Sequence, residues 1–586
     1  MKSNSKYPLL RNSILILFFI VTNTVAFGQS KIEQIDKLIS TYKEYGKFNG
    51  SVLVSDQGQV IYKKGFGMAN MEWDIPNQPN TKHRLGSITK QFTAMLILQL
   101  VAQGKLDLQV PISKYLPDYP KTNGDIITTH HLLTHTSGIP NYTAFPKFME
   151  DESRNPYTPT EFIEKFADSA LNFKPGEKFS YSNSGYFLLG VIIEKLSGKS
   201  YAQMLQDKIF TPLNMQDTGY DNHGDILKNR ATGYEKQGGE YINSNYIDMT
   251  IPYAAGSMYS TVEDLYKWDQ ALYTTSLLPK DYMTLYFKPY IASGNAHYAY
   301  GWVVGNNKIG KSTDSIYVIG HGGGINGFNT NISRTTANNS LVVLLNNTGR
   351  APLNDMTNAI RGILHGKAYD MPKKSVANAV MAVIEAKGID AGISHFNTIK
   401  DAENYSLSES EMNTIGYQLM GSDKVEAANK VFQLITEIFP TSSNAYDSFG
   451  ESLMKLRKND QAIKNYRKSI ALNPNNLNAI EYLKKLGDDV SDLEKKVKVS
   501  NAILERYIGK YELMPGFILT VTKEGNQLKT QATGQPVFDV FPTSENEFYL
   551  KVVNAQLVFN KNDAGDVDSV TLFQGGREIT GKQLKE

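Results

Sequence analysis

The stretch RLGSITKQFTAMLILQLVAQGK, Arg84 to Lys105, places a serine and a lysine three residues apart at the start of an apolar run. Residues three apart on a helix lie on the same face, so Lys90 comes within reach of the Ser87 hydroxyl. The run FTAMLILQL supplies apolar surroundings, and burial lowers the pKa of an amine. A neutral amine can take a proton from serine, which is otherwise a poor nucleophile. The stretch therefore predicts an amphipathic helix with a nucleophile and its base at the start.

The Ser-x-x-Lys pattern needs support from its surroundings, because it occurs four times in the chain, beginning at Ser3, Ser40, Ser87 and Ser452. Only Ser87 combines a preceding glycine with a long apolar segment behind the lysine. The ordinary alternative is a serine at a helix start and a lysine on the helix surface. Companion motifs must decide between the two interpretations.

Two further stretches carry residue types that suit acyl transfer. KPGEKFSYSNSGYFLLG places Tyr181 and Asn183 on a loop before a second apolar helix. A tyrosine hydroxyl can relay protons, and an asparagine amide can hold a substrate carbonyl and a lysine. VIGHGGGINGFNTNISR places His321 before three glycines, which let a strand edge approach a ligand and aim N–H groups at it. It lacks the Lys-Ser/Thr pair of a phosphate-binding loop, so a nucleotide site is not favoured.

The three motifs, in the order Ser-x-x-Lys, Tyr-x-Asn and His-Gly-Gly, resemble those of the serine β-lactamase and penicillin-binding-protein superfamily. The resemblance is to the class C β-lactamase-like branch, which includes esterases and D-amino-acid peptidases. Further matches are ITTHHLLTHTSGIP, FKPGEKFSYSNSGY and AAGSMYSTVEDLYKW. The resemblance covers about Lys31 to Gly366 and implies an α+β domain, with an antiparallel sheet flanked by helices and a helical insertion.

The same resemblance implies a role for each motif residue. Ser87 would form an acyl-enzyme, Lys90 would activate it, and Tyr181 would pass protons to and from the leaving group and the deacylating water. Asn183 would position the substrate amide or ester. The remaining substrate-binding and oxyanion positions implied are His321, Gly323 and Gly324, with N–H groups of Ser87 and Gly324 as oxyanion donors.

One position departs from the family pattern. His321 stands where many members carry the lysine of a Lys-Thr-Gly motif, and an imidazole is charged only part of the time near neutral pH. In the family, a permanent cation at this position binds the carboxylate of penicillins. Because His321 does not supply a permanent cation, efficient β-lactam hydrolysis is not expected. The sequence therefore favours an ester or amide hydrolase, with D-amino-acid peptides among its substrates.

Two alternatives remain open at this point. One is a β-lactamase or a D,D-carboxypeptidase, which only substrate tests would distinguish from an esterase. The other is a catalytically weak or inactive relative that acts as a protein-binding module. The presence of Ser87, Lys90 and Tyr181 together argues against a decayed enzyme.

Composition and charge exclude several other classes. The 586 residues, 41% of them hydrophobic, suit two to four globular domains. A formal net charge of +2 gives no general attraction for nucleic acid. His130, His131 and His135 could suggest zinc, but no acidic third ligand stands near them, and a structural role under the active site is favoured. We predict no cofactor and no metal.

The N-terminus predicts export. Lys2, Lys6 and Arg11 precede the short apolar run SILILFFIV, and small residues surround a cleavage point at Ala26 to Gly28. We interpret residues 1–28 as a signal peptide; an uncleaved anchor is the alternative. The chain has no cysteine and hence no disulfide or lipid-modified cysteine. A periplasmic or secreted protein without a membrane span is expected after signal removal.

The middle of the chain contains a repeat of 34 residues. Small, aromatic and proline positions recur at this spacing: Gly416, Leu419, Ala428, Phe432 and Pro440 against Gly450, Leu453, Ala462, Tyr466 and Pro474. The period and pattern match a tetratricopeptide repeat. Such helices provide either a groove for a protein partner or a rigid spacer.

The C-terminal part alternates β-type runs with Gly, Asn and Asp turns, which predicts a small antiparallel β domain. It resembles a β domain of unassigned function that is often appended to exported hydrolases. The predicted organisation is therefore multidomain: a signal peptide at 1–28, a β-lactamase-like domain at 29–370, helical repeats at 371–490 and the all-β domain at 500–586.

Overall fold

The computed structural model describes residues 30–584 except 238–239, 492, 494–498, 515–516, 551, 554, 563–564 and 575–576. The predicted signal peptide at 1–28 lies outside the described residues. Contacts divide the chain into two compact units. The first runs to Ala379 and includes Phe396–Ser406; the second comprises Val380–His395 and Leu407–Glu586.

An eight-stranded antiparallel sheet forms the centre of the first unit. Its strands, in chain order, are β1 Gly50–Asp56, β2 Gln59–Phe66, β3 Ile291–Ser293, β4 Ala296–Tyr298, β5 Val303–Lys308, β6 Ser315–Ile325, β7 Phe328–Thr335 and β8 Ser340–Asn346. They lie side by side in the order β3-β4-β5-β6-β7-β8-β1-β2. The pairing of β1 with β8 joins Gly50 to Asn346, so the sheet is assembled from distant parts of the chain.

Two sequence patterns predict local strand structure, and both predictions are confirmed: the alternating runs of GSVLVSDQGQVIYKKGFG, residues 50–67, predict a hairpin, and SLVVLLNN, residues 340–347, predicts a buried strand. β1 and β2 form a hairpin whose two turn residues, Gln57 and Gly58, have φ angles of 51° and 75°. Two consecutive positive φ values are typical of the type I′ turn, which matches the twist of the paired strands. The predicted buried strand at residues 340–347 is β8, which is buried along its whole length.

Helices cover both faces of the sheet. The main ones are α1 30–44, α2 Thr89–Ala102, α3 Asn183–Ser197 and α4 Leu353–Leu364. Val52 and Val54 of β1 pack with α1 and α4, whereas Leu53 packs on the opposite face with α2 and α3. This alternation is the two-residue period of a strand buried on both sides. Shorter helices in the α2 layer are Thr129–Leu133, Pro159–Glu164, Tyr201–Leu205, Tyr253–Gly256, Val262–Ala271 and Lys280–Phe287.

The prediction that α2 is amphipathic is wrong. Every residue from Thr89 to Leu100 is buried, including the polar Lys90 and Gln91. Segments distant in sequence surround this helix: β-strand residues on one side, and α3 and helix Tyr253–Gly256 on the others. A helix that is covered all round belongs to the core, and its polar residues must find partners there.

The second unit contains the predicted helices. They are α5 Glu409–Gly421, α6 Val425–Ile438, α7 Ser443–Lys455, α8 Asn459–Leu472 and α9 Leu477–Lys485. Gly416 faces the ring of Phe432, and Gly450 faces the ring of Tyr466, so close helix packing repeats after 34 residues. The capping residues Ser408, Ser442 and Asn476 have the same spacing. The tetratricopeptide assignment and a protein partner for these helices remain predictions.

The C-terminal β region of this unit closes into an eight-stranded antiparallel barrel. Its strands are β9 Gly509–Met514, β10 Phe517–Glu524, β11 Gln527–Ala532, β12 Phe538–Pro542, β13 Glu547–Leu550, β14 Ala555–Lys561, β15 Val567–Gln574 and β16 Arg577–Gln583. Tyr507, Phe548 and Phe559 pack together in its core. The predicted multidomain fold is confirmed, while the boundaries at 370, 490 and 500 remain predictions. Among the described residues, no helix has the length and apolar character needed to cross a membrane.

Candidate active site

Ser87 lies in a single turn of 3₁₀ helix, Gly86–Ile88, that leads into α2. The turn approaches strand β6 closely: a β-carbon on Gly86 would lie 2.8 Å from both the nitrogen and the carbonyl oxygen of Gly324. Gly86 also has a φ angle of 56°, which favours glycine. This close approach brings the nucleophile candidate against the predicted oxyanion segment.

The glycine-rich segment, residues 322–324, lies near the C-terminal end of β6 beside this turn. Pairing between β5 and β6 ends at Val303 and Gly320, so the continuation of β6 faces the turn instead of another strand. On the other side, Ile325 pairs with Phe328 across a two-residue turn. Because hydrogen-bonded pairs alternate along an antiparallel ladder, the N–H of Gly324 points away from β7 and towards the turn that carries Ser87. An N–H so placed can stabilise an oxyanion.

Lys90 connects the serine to the rest of the site. Its Nζ lies 3.1 Å from Ser87 Oγ, 2.9 Å from Asn183 Oδ1 and 2.8 Å from the carbonyl oxygen of Ala255. The residue is fully buried, and this desolvation lowers the pKa of its amine well below 10.5. A neutral amine has two N–H donors and one lone pair. With the two oxygens of Asn183 and Ala255 accepting the donors, the lone pair is left for the Ser87 proton.

Asn183 is oriented by a residue that the sequence analysis missed. Asn141 Oδ1 accepts hydrogen bonds from the backbone N–H of Asn183 at 3.1 Å and from its side-chain amide at 3.3 Å. With the amide nitrogen held in this way, Oδ1 of Asn183 is directed to Lys90. Asn141 follows the SGIP turn without any local pattern that distinguishes it from an ordinary loop asparagine.

Tyr181 lies in the loop before α3, with its ring centroid 4.9 Å from Lys90 Nζ. Its hydroxyl is buried beside the Ser87 side chain, and it forms no well-aligned hydrogen bond to any of the described residues. Burial raises the pKa of the phenol, so the group is protonated at neutral pH. A protonated phenol can donate to a leaving group, whereas the depressed pKa of Lys90 makes the amine the better base for Ser87.

His321 lies on β6 and is buried. Its Nδ1 donates to the carbonyl oxygen of Gly322 at 2.6 Å, and Nε2 accepts from the hydroxyl of Tyr298 at 3.0 Å. Desolvation, with a smaller contribution from the charge of Lys90, lowers the pKa of His321 to about 4. The imidazole is therefore neutral at pH 7 rather than partly charged, and it provides no cation for a substrate carboxylate.

The three clustered histidines have separate bonding partners. His130 Nδ1 lies 2.8 Å from the hydroxyl of Tyr300, and His131 Nδ1 accepts from Thr128 N at the start of helix Thr129–Leu133. His135 Nδ1 accepts from Ser182 N beside Tyr181. No group of three metal-ligating side chains occurs among the described residues.

Comparison with known proteins agrees with this fold. The family model described as Beta-lactamase matches residues 35–365, which is more than half of the chain. The chain therefore belongs to this family of β-lactamase-fold serine hydrolases. Residues 493–583 match a domain of unknown function, DUF3471.

Similar proteins include penicillin-binding and amidase relatives. Penicillin-binding protein 4* of Bacillus subtilis is 30% identical over 365 residues, which is 59% of this chain and 79% of the relative. A penicillin-binding protein from Bacillus halodurans has a TM-score of 0.50 at 27% identity, covering 56% of this chain and 99% of that one. A D-amino acid amidase from Ochrobactrum anthropi, complexed with D-phenylalanine, has a TM-score of 0.50 at 25% identity, covering 57% and 98%.

Proposed function

We propose that this chain is an exported serine hydrolase that cleaves esters or amides through an acyl-enzyme on Ser87. The observation that carries the proposal is the contact between Ser87 Oγ and the buried Lys90 amine, whose other two partners are oxygen acceptors. A base in this position can activate a serine hydroxyl. Export is inferred from residues 1–28, which have the composition of a signal peptide.

In the proposed reaction the Ser87 oxygen forms a bond to the acyl carbon while its proton passes to Lys90. The N–H groups of Ser87 and Gly324 stabilise the oxyanion. Tyr181 donates its proton to the departing oxygen or nitrogen, and the resulting phenolate recovers a proton from the Lys90 ammonium. A water molecule then attacks the acyl-enzyme, gives up a proton by the same route, and releases the acid while Ser87 regains its hydrogen. The sum is hydrolysis of one ester or amide bond by one water.

The neutral state of His321 supports a substrate whose bound portion carries no free carboxylate beside Gly324. Esters and amides meet this condition, and amides of D-amino acids are among them. The similar protein from Ochrobactrum anthropi is a D-amino acid amidase, which supports the same substrate class. β-Lactam hydrolysis and D,D-carboxypeptidase activity, in which a carboxylate is held, are the alternative outcomes of a substrate panel.

Labelling with a fluorophosphonate tests the nucleophile. Intact mass spectrometry of the mature protein should show one adduct, because an activated serine attacks phosphorus and expels fluoride. Ser87→Ala should show none. Ser40→Ala is the matched control, since Ser40 heads another Ser-x-x-Lys sequence in helix α1, and it should label like the wild type. Equal labelling of wild type and Ser87→Ala, or no labelling of either, would contradict the proposal and favour the binding-module alternative.

The labelling rate should also depend on pH through Lys90. Only the neutral amine can accept the Ser87 proton, so the rate should increase as pH rises through the Lys90 pKa. Burial lowers that pKa well below 10.5, and the rate should therefore reach its plateau well before that pH. We would measure second-order labelling rates from about pH 5 to about pH 10. A labelling rate that still rises in proportion to hydroxide concentration at the alkaline end would show that the pKa of the Lys90 amine is not lowered.

A further inference from the structure

His135 accepts hydrogen bonds from the residues on both sides of Tyr181. The N–H of Ser180 donates to the carbonyl oxygen of His135 at 2.9 Å, and the N–H of Ser182 donates to His135 Nδ1 at 3.1 Å. The residues immediately before and after Tyr181 are therefore both tied to His135. The two rings also pack together, with centroids 4.2 Å apart and planes inclined by 35°.

We propose that His135 is the positioning residue for Tyr181, fixing the phenol where the leaving group must receive its proton. This inference rests on the proposed function, because Tyr181 needs a defined position only if it transfers protons. His135 touches no reacting atom. It acts through the backbone of Ser180 and Ser182 and through the face of the Tyr181 ring.

The bonding state of the imidazole fits this role. Nδ1 accepts the Ser182 N–H, so the ring proton is on Nε2 and the ring is neutral. A protonated ring would have no acceptor for Ser182 and would face the Lys90 amine. Burial is the main cause that lowers the pKa of His135 well below 6.5 and keeps the ring neutral, and the nearby Lys90 acts in the same direction.

The backbone of His135 directs this ring into the protein. Its φ angle is 57°, in the left-handed region that glycine and asparagine adopt most easily. Its side chain is buried among Tyr181, Tyr186 and Tyr298, with ring centroids 4.2, 5.0 and 4.7 Å away. A residue other than glycine keeps such a strained conformation only when the surrounding contacts stabilise it. Here those contacts are the ones that hold the Tyr181 loop.

Two substitutions of His135 distinguish the loss of the hydrogen-bond acceptor at Nδ1 from a general effect on folding. His135→Asn and His135→Gly both remove the imidazole and both tolerate the positive φ, but only asparagine keeps an oxygen near the place of Nδ1. Hydrolysis of phenyl acetate and p-nitrophenyl acetate is the assay, because p-nitrophenoxide leaves with much less help from an acid. His135→Gly should lower kcat/KM for phenyl acetate by roughly 30-fold, which is less than the loss of about 100-fold or more expected when a general acid is removed, because the phenol is misplaced and not absent. It should affect p-nitrophenyl acetate much less, and His135→Asn should recover most of the loss.

A double-mutant cycle with Tyr181→Phe gives the decisive comparison. Once the phenol is absent, His135→Gly should have almost no further effect on phenyl acetate hydrolysis, because its action passes through Tyr181. Fluorophosphonate labelling of Ser87 should stay near the wild-type rate in His135→Gly, since fluoride leaves without that proton. Melting temperatures would verify that both single variants fold.

The outcomes distinguish this inference from the proposed function. If Ser87 labels in the wild type but His135→Gly equals wild type on both esters, His135 does not position Tyr181. An equal loss on both esters, or an undiminished loss in the Tyr181→Phe background, would also overturn the inference, because it indicates a general structural role. If the wild type forms no adduct at Ser87, the proposed function itself fails.

Discussion

A Lys90→Met variant should lose at least about 1,000-fold in the rate of Ser87 acylation. Methionine fills much of the space of the lysine side chain but has no amine. Among the described residues, Ser87 would then have no base within hydrogen-bond distance, because Tyr181 is protonated at neutral pH and its phenol is a donor. Asn183 would also lose the ammonium or amine that its Oδ1 contacts at 2.9 Å. The measurement is the second-order rate of fluorophosphonate labelling.

Lys43→Met provides the matched control for this variant. Lys43 occupies the same place in a Ser-x-x-Lys sequence, but it is exposed on helix α1. Its replacement should leave the labelling rate unchanged. Near-ultraviolet circular dichroism of both variants would verify native packing around the many buried tyrosines. A Lys90→Met protein that is folded and labels within about tenfold of the wild type would show that another group activates Ser87.

Replacing Asp269 with alanine should destabilise the first unit by about 3–5 kcal/mol. Asp269 Oδ1 accepts from Arg334 Nε at 2.7 Å, and the two side chains are 0% and 1% exposed. The pair connects helix Val262–Ala271 to β7. Removing the carboxylate leaves the guanidinium buried against the rings of Tyr273 and Phe287 without a counterion.

The free energy of unfolding would be followed through the urea transition of the first unit, since a chain with two units can unfold in more than one step. Asp314→Ala is the control. Asp314 forms an ion pair with Lys367 in which both side chains are about half exposed, and its loss should leave the midpoint unchanged. An Asp269→Ala midpoint equal to that of the wild type would mean that Arg334 reaches solvent or another acid.

Local sequence patterns are enough to predict the residues of the candidate site. Ser87 and Lys90 are three residues apart at a helix start, so their spacing alone predicts their contact. The loop position of Tyr181 follows from a polar segment before an apolar run, whereas Asn183, which was predicted to lie in the same loop, is the first residue of helix α3. The same holds for the 34-residue spacing of the repeat helices, whose caps and small residues are local signals. Patterns of this kind can be recognised without knowledge of the fold, because they depend only on neighbours in the chain.

The pKa values of these groups and their positions depend on the tertiary structure. The depressed pKa of Lys90 depends on burial of α2 by segments up to hundreds of residues away, and its acceptor at Ala255 is a backbone atom that no motif marks. The same is true of the contact between Gly86 and Gly324 and of the bonds from His135 to the Tyr181 loop. Desolvation and hydrogen-bond geometry are properties of atoms brought together in space, so a one-dimensional pattern cannot specify them.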